Sequence, residues 1–359
     1  MVEIEAGVVT EQLQQFAESK DLYYPVDFAS AGSSQIGGNI GTNAGGIKVI
    51  RYGMTRQWIM GLTVVTGKGD ILQLNRGMVK NATGYDLRQL FIGSEGTLGL
   101  VTHAQIKLER QPQDLNVMVL GMDNFNDVMN VLSAFQAKID LTAFEFFDDV
   151  AIDKLMAHGQ VQEPFESRTK FYTLLEFEAP YEPIMDKAMA IFEECMEQGW
   201  VVDGVMSQSL AQAEELWKLR EYISETISVF TPYKNDVSVL ISYVPEFIAE
   251  IDHIVSSNYP DFEVCWFGHI GDGNLHLNIL KPANMSKDDF FSECQIVNKY
   301  VFETVQKYGG SVSAEHGVGM TKKPYLNYSR SETEIEYLRA VKKVFDPNNI
   351  MNRGKIFDM

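Results

Sequence analysis

The chain of 359 residues carries 30 Lys and Arg against 49 Asp and Glu, a formal charge of −19, with 45% hydrophobic and 22% charged residues. That composition belongs to a globular protein long enough for two full cores, and its acidic balance excludes nucleic acid and anionic membrane surfaces as partners, because both select Lys and Arg. Cys195, Cys265 and Cys294 are few, scattered and odd in number, which implies no disulfide framework and fits a reducing cytoplasm; no apolar run reaches the length of a membrane span, and the acidic N-terminus lacks a signal peptide's charged region.

Residues 1–112 form a Gly-rich first domain of short strands and turns. Val2-Glu3-Ile4-Glu5-Ala6-Gly7 alternates as a strand, and residues 10–20 read as an amphipathic helix with Thr10 as N-cap. Gln35-Ile36-Gly37-Gly38-Asn39-Ile40-Gly41-Thr42-Asn43-Ala44-Gly45-Gly46 reads as a loop. Its glycines let backbone N–H groups approach a phosphate or ring carbonyl closely. The spacing is not Gly-x-Gly-x-x-Gly, which excludes a nicotinamide-type nucleotide fold. By itself the loop fits a ligand cradle and a run of tight turns equally. Residues 58–66 and 69–74 form a hairpin around Gly67-Lys68-Gly69.

From Asn116 the pattern lengthens. Strands are predicted at 117–121, 144–147, 171–178, 200–206 and 237–243, with helices at 124–136, 183–198 and 211–229. This alternation suggests one sheet with helices on one face, an α+β arrangement. No internal repeat, low-complexity tract or linker stands out. Helices at 285–307 and 333–344 follow, and residues 113–359 are taken as the second domain.

Chemistry concentrates in Trp266-Phe267-Gly268-His269-Ile270-Gly271-Asp272-Gly273-Asn274-Leu275-His276-Leu277-Asn278. Asp272-Gly273 is the dipeptide a two-residue type I′ hairpin turn asks for. Folding there would pair His269 with His276, Cβ atoms about 4.5–5.5 Å apart, with Asn278 on the same face. Glu315, in Ser313-Ala314-Glu315-His316-Gly317-Val318-Gly319, offers a third ligand. Two His and a carboxylate suit a divalent metal, zinc first, manganese or iron as alternatives, with positions left open for substrate. The competing reading is two histidines hydrogen-bonded beside a Gly-rich turn.

These motifs also carry a resemblance. His-x-Gly-Asp-Gly-Asn-x-His followed by Glu-His-Gly-x-Gly resembles the C-terminal domain of the FAD-linked oxidases of the vanillyl-alcohol oxidase type, nearest within them to the D-lactate, glycolate and D-2-hydroxyglutarate dehydrogenases. The resemblance extends over essentially the whole chain. It implies the second half of a PCMH-type FAD-binding domain, a ferredoxin-like α+β substrate domain and a C-terminal helical segment. The loop 35–46 is similar to the one that wraps the flavin ring and ribityl chain, so Ile36, Gly37, Gly38, Asn39, Thr42, Gly45 and Gly46 are implied cofactor contacts. Gly53 belongs with them, as does Val101 in the segment Gly93-Ser94-Glu95-Gly96-Thr97-Leu98-Gly99-Leu100-Val101-Thr102, which lies beside the adenine in relatives. Asn352 and Lys355 stand where relatives read Asn-Pro-Gly-Lys, with Arg353 a departure, and there a flavin contact and a plain helix cap are equal readings. Relatives begin with a further subdomain holding a pyrophosphate loop. The sequence opens without it, which suggests a truncation or a complementing N-terminal polypeptide.

Segments of the form Arg-Glu-x-Ile-Thr and Tyr-Lys-Tyr-Asp-x-Ser hold the substrate carboxylate in the D-2-hydroxyglutarate dehydrogenases. They correspond to Arg220, Ser224 and Lys234, with Ser for Thr and one residue fewer before Lys234; spacing alone would leave these as solvated surface charges. The implied reaction is FAD-dependent oxidation of a D-2-hydroxy acid, D-2-hydroxyglutarate by preference. A metal would polarise the 2-hydroxyl, His316 would act as general base, and Asn278 would hold the substrate hydroxyl or carboxylate. Electrons would leave to a protein or quinone acceptor. Alternatives are a flavin-free remnant, one subunit of a split D-lactate or glycolate dehydrogenase, and a hydrolytic metalloenzyme. Self-association is a further expectation, from apolar surface left at the missing seam.

Overall fold

In the computed structural model, which describes residues 1–359, the first strands are Val2–Glu5 (β1), Leu22–Tyr23 (β2), Ile59–Thr66 (β3), Ile71–Leu74 (β4), Gly99–Ile106 (β5) and Glu109–Arg110 (β6). β1, β5, β3 and β4 make an antiparallel sheet in that order, and β2 pairs with β6. Val2 and Ile4 turn inward from β1 and their glutamate neighbours outward, the period-two alternation of a half-buried strand. The core beneath gathers Trp58, Leu62, Val64, Phe91, Ala104 and Ile106.

Part of the glycine segment is helical rather than a loop: Ile36–Thr42 is a short helix. It runs into β1, because Gly37 N–H donates to Ala6 O at 2.8 Å and a Cβ on Gly37 would stand 2.8 Å from the Ala6 Cβ. The missing side chain is what lets helix and strand touch. Asn43 then takes φ +54 and ends the helix. The Thr10–Glu18 helix is capped from Val9 rather than Thr10, whose hydroxyl is committed to Ser34.

The chain forms two units, residues 1–111 with 313–359, and residues 112–312, whereas the sequence reading kept 113–359 in one piece. The reason lies in the Glu332–Phe345 helix. It starts in a capping box between Ser331 and Glu334 and sets Phe345 against Phe91 at 5.0 Å. Buried Lys342 donates to Asp346 Oδ2 at 2.6 Å, Thr97 O at 2.8 Å and Met351 O at 3.0 Å. Gly67 carries no side chain because a Cβ there would meet Asp346 Oδ1 at 2.4 Å.

The second unit holds Leu115–Met122 (β7), Leu141–Asp148 (β8), Phe171–Glu178 (β9), Asp203–Met206 (β10), Tyr233–Ser238 (β11), Glu263–Gly268 (β12) and Asn274–Leu280 (β13). They form one antiparallel sheet, ordered β10-β7-β9-β8-β12-β13-β11. The first four strands, with helices Phe125–Gln136 after β7 and Glu182–Glu197 after β9, place the fourth strand beside the first, then the third, then the second. That is the ferredoxin-like arrangement. The last three repeat it: Val244–Asn258 follows β11, Lys287–Lys307 follows β13, and Ser311 bridges back to Ser238 where a fourth strand belongs. No repeat is visible in the residues; it exists in the topology.

Helices cover both faces of this sheet, not one. Phe125 packs edge-to-face on Phe146 at 5.5 Å, whereas the Leu210–Glu221 helix covers the opposite face, with Trp217 Nε1 donating to Glu176 and the Arg220 guanidinium over the Phe267 ring at 4.8 Å. β8 is therefore buried along its whole length. The helix predicted over 211–229 breaks into Leu210–Glu221, Ile223–Thr226 and a 3-10 turn at Ile227–Phe230. Its second half is rich in β-branched residues, and Pro232 disfavours helix at Thr231. The strand predicted over 237–243 runs instead over Tyr233–Ser238 (β11), and Ile241–Tyr243 forms a 3-10 turn. The Val244–Asn258 helix was not anticipated. No helix is long and apolar enough to cross a membrane.

Burial would raise the Asp346 pKa, but the Lys342 ammonium and the N–H groups of Ile350 and Met351 hold it below the ordinary carboxylate value. A carboxylate depressed in the folded state contributes stability above its unfolded pKa and loses it as the pH falls through the lowered value. Lys342→Met should cost about 3 kcal/mol by stranding a buried charge, and should flatten the acid limb of stability below about pH 4. Urea unfolding across pH 3–7 checks this; wild-type stability in the variant refutes it.

Candidate active site

Residues two apart on a strand share a face, and the strand register carries one polar face across the sheet of the second unit. Glu145 and Phe147 lie on it from β8, Phe267 opposite Phe147, His276 opposite Phe267, and Asp236 opposite His276. Lys234, two positions from Asp236, lies opposite Asn278.

The connection between β12 and β13 is not a two-residue hairpin. Ile270–Asp272 makes a turn of 3-10 helix and Gly273 takes φ +81. Asn274 N–H donates to His269 O at 3.2 Å, and Phe267 rather than His269 stands opposite His276. Gly273 is pressed against the chain at Val239, whose carbonyl oxygen would lie 2.2 Å from a Cβ there, so the turn is shaped by packing rather than by a local dipeptide preference. The longer connection places His269 just beyond β12. The two imidazoles still meet, ring centroids 5.3 Å apart and planes at 83°.

Glu145 organises the face. His269 Nδ1 lies 2.8 Å from its Oε1 and 2.7 Å from its Oε2, and Arg220 Nε lies 2.8 Å from Oε2. An ionised carboxylate only accepts hydrogen bonds. His269 therefore carries a proton on Nδ1; in the neutral imidazole that leaves the lone pair on Nε2, the tautomer of a carboxylate-oriented metal ligand. His276 Nδ1 is 3.8 Å from Asp236 Oδ1, itself an acceptor from Asn274 Nδ2 at 2.8 Å. The donor set and its oriented nitrogens fit a divalent metal.

Arg220 is buried. With Nε paired to Glu145 and Cζ over the Phe267 ring, the fork has its two Nη groups to offer, the edge that matches a carboxylate bidentately. Ser224 does not share that burial; it is exposed on the following turn. Lys234 Nζ donates to Ser224 Oγ at 3.1 Å, and desolvation holds the Lys234 pKa below its ordinary value. Asn278 is buried, its amide donating to His276 O at 3.1 Å and Cys265 O at 3.4 Å. Sequence reasoning missed Glu145 and Asp236 as functional residues. The local signal for Glu145 was a lone acid inside Phe144-Glu145-Phe146-Phe147.

In the first unit, a cavity of about 330 Å³ is lined by Gly37, Gly38, Gly41, Ser94, Gly96 and Val101, among others. It falls at the lower end of ligand-pocket sizes and has room for part of a dinucleotide. Gly38 lines it with nothing within 4 Å of a Cβ position, so its bareness leaves space rather than relieving a clash. Flat backbone with open room fits a flavin or adenine ring. Of the implied cofactor residues, Gly37, Gly38 and Val101 come together there. Ile36 and Asn39 turn into the interior, Asn39 Nδ2 donating to Thr10 Oγ1 at 2.7 Å. Thr42 ends the short helix, its hydroxyl donating to Gly38 O at 3.2 Å. Gly53 has φ +71 against Gln57, and a Cβ on Gly46 would meet Asp27 O at 1.9 Å, so packing already requires both glycines. Asn352 donates to Glu95 O, beside Gly96 of the cavity wall. Gln35, Gly41, Ser94, Gly96 and Leu100 line the cavity without having been singled out.

Glu315 Oε1 accepts from Gly46 N–H at 3.1 Å. His316 is exposed on the same irregular stretch, where Gly317 has φ +78 and Gly319 φ +53 and Glu95 accepts from the N–H groups of Val318 and Gly319 at 2.7 and 2.8 Å. Neighbouring Glu315 and His316 are thus freed from strict strand alternation.

The family of FAD linked oxidases, C-terminal domain, matches residues 111–356, and the FAD binding domain family matches residues 1–75. The chain is 70% identical over 351 residues to a D-2-hydroxyglutarate dehydrogenase of Stutzerimonas stutzeri, covering 98% of this chain and 76% of that protein. It is 52% identical over 355 residues to a D-2-hydroxyglutarate dehydrogenase of Xanthomonas citri pv. viticola, covering 99% and 75%. Among solved structures, an alkyldihydroxyacetonephosphate synthase matches with a TM-score of 0.67 at 17% identity, over 98% of this chain and 63% of its own, a likeness of fold alone. From these matches, the chain belongs to the FAD-linked oxidases.

Proposed function

We propose that this protein oxidises a D-2-hydroxy acid, D-2-hydroxyglutarate by preference, to the 2-oxo acid with FAD and a divalent metal. The observation that carries the reading is the polar face on which Glu145 joins Arg220 and His269, in a chain 70% identical to a D-2-hydroxyglutarate dehydrogenase. FAD, when bound, supplies the acceptor for the hydride leaving C2, and Gly37, Gly38 and Val101 would hold it. A divalent metal, zinc first, supplies Lewis acidity toward the 2-hydroxyl, with His269, His276 and Glu315 as its ligands. Support for Glu315 comes from the chain itself: Ser311 is bonded to Ser238 in both directions, at 2.8 and 3.1 Å, and Glu315 follows only four residues later, a reach of about 14 Å at most.

Within this scheme His316 takes the hydroxyl proton, as the side chain whose ordinary pKa is nearest neutrality. Arg220 clamps the second carboxylate through its Nη groups, and Lys234 beside Ser224 adds a second cation on the same side. Asn278 orients the end of the substrate that carries the hydroxyl. Two cations select a dicarboxylate over D-lactate. With no nicotinamide motif, the electrons pass to a protein or a quinone. The three buried free cysteines accord with a cytoplasmic setting, and self-association belongs to the same proposal.

Anaerobic addition of D-2-hydroxyglutarate should bleach the visible flavin absorbance of the purified protein. Dialysis against a chelator should abolish turnover until Zn²⁺ or Mn²⁺ is restored. Protein that stays colourless and inactive after incubation with FAD and metal overturns the proposal.

Arg220→Lys loses the bidentate edge, a charged hydrogen bond of about 1.5–3 kcal/mol. It should reduce kcat/KM for D-2-hydroxyglutarate by roughly 10–150-fold while affecting D-lactate much less. Steady-state kinetics with an artificial acceptor decides this, and equal turnover of D-lactate by the wild type would sink the dicarboxylate preference.

A further inference from the structure

We propose that Glu145 is a positioning residue that fixes the metal-binding histidine and the carboxylate-binding arginine to one another, and so sets the length of diacid the site accepts. The inference rests on the reading above and deepens it. Both Glu145 oxygens face His269 Nδ1, at 2.8 and 2.7 Å, while Oε2 also faces Arg220 Nε at 2.8 Å. One rigid planar group therefore stands between the two ends of the site. Arg220 is also held by the Phe267 ring, whose centroid is 4.8 Å from its Cζ, so its guanidinium rests on two contacts, one ionic and one aromatic.

Stability does not account for the arrangement. Glu145 is 1% exposed and Arg220 6%, and buried ion pairs are often no more stabilising than apolar residues of the same volume. Phe147, two positions along β8 and on the same face, shows that the strand otherwise places aromatic carbon in this layer. Glu176, a second buried carboxylate on the next strand, accepts from Thr142 Oγ1 at 2.5 Å and from Trp217 Nε1 at 3.0 Å. Glu145 instead bonds His269 through Oε1 and sets Oε2 within 2.8 Å of both His269 Nδ1 and Arg220 Nε, the two residues assigned to metal and substrate above. Orienting partners of ligating histidines typically change metal affinity 10–100-fold. Here the same partner also aims the arginine, so loss of the carboxylate weakens metal binding and blurs selection between long and short substrates together.

The test uses Glu145→Gln, which keeps shape, and Glu145→Asp, which keeps charge but withdraws the carboxylate by one methylene. Zn²⁺ affinity is measured on metal-stripped protein by competition with a chromophoric chelator, a readout independent of flavin and turnover. Kinetics at saturating Zn²⁺ then give the ratio of kcat/KM for D-2-hydroxyglutarate to that for D-lactate. Both variants should bind Zn²⁺ about 10–100-fold more weakly and lose roughly tenfold or more in the ratio, with Glu176→Gln retaining wild-type Zn²⁺ affinity. Unchanged affinity in both Glu145 variants overturns the inference, and so does weakened affinity with an unchanged ratio. Wild-type protein that takes up no Zn²⁺ would instead overturn the metal reading itself, which separates the two failures.

Discussion

A carboxylate buried in an aromatic strand is among the most costly groups a fold can hold, and Glu145 is tolerable only because Arg220 and His269 reach it. Much of the second unit follows from that requirement. β8 must be covered on both faces so that the pair is shielded. The Leu210–Glu221 helix must end where Arg220 can descend onto the sheet, and β12 must stop at Gly268 so that the next residue, His269, leaves the ladder. The seam holding these parts together is short. β8 and β12 pair only at Phe147–Phe267 and Phe146–Gly268. Asp148 extends it by accepting from Trp266 N–H at 2.8 Å while capping the Asp149–His158 helix through Ala151 N–H at 2.9 Å. Burial pushes the Asp148 pKa up, against the pull of those two N–H groups.

The seam also divides the labour. β7 to β10 and β11 to Ser311 each form a ferredoxin-like module, and they join through their second strands. The first module contributes the carboxylate, the second both histidines, and the connecting Leu210–Glu221 helix the arginine. Neither module alone carries the whole constellation of Glu145, Arg220, His269 and His276. A duplicated fold gives a symmetric frame, yet the seam is the one place where residues of both copies face each other. Chemistry needing two different ends, a cation for one carboxylate and imidazoles near the other, is naturally built there.

What could be read from the residues divides along physical lines. His269 and His276 stand out by residue type, because an imidazole binds protons and metals; Gly37 and Gly38 stand out only through the family resemblance, because glycines alone fit tight turns equally well. Element positions such as β9 followed from periodicity. The register between His269 and His276 did not, because Asp272-Gly273 satisfies a tight-turn preference that packing against Val239 overrides. The repeat escaped for a related reason, since topology constrains which strands neighbour which and leaves the side chains free to diverge.

Glu145 was illegible for a deeper reason. Its partner His269 is 124 residues away, and nothing local distinguishes it from Glu176, another acid in an apolar strand, which is bonded to Thr142 and Trp217. A residue whose type suits a ligand leaves its chemistry in the sequence, as the imidazole of His269 does. One that acts by holding two others in place leaves only an anomaly, a charge where carbon would pack as well, and its meaning appears when the register brings its partners to it.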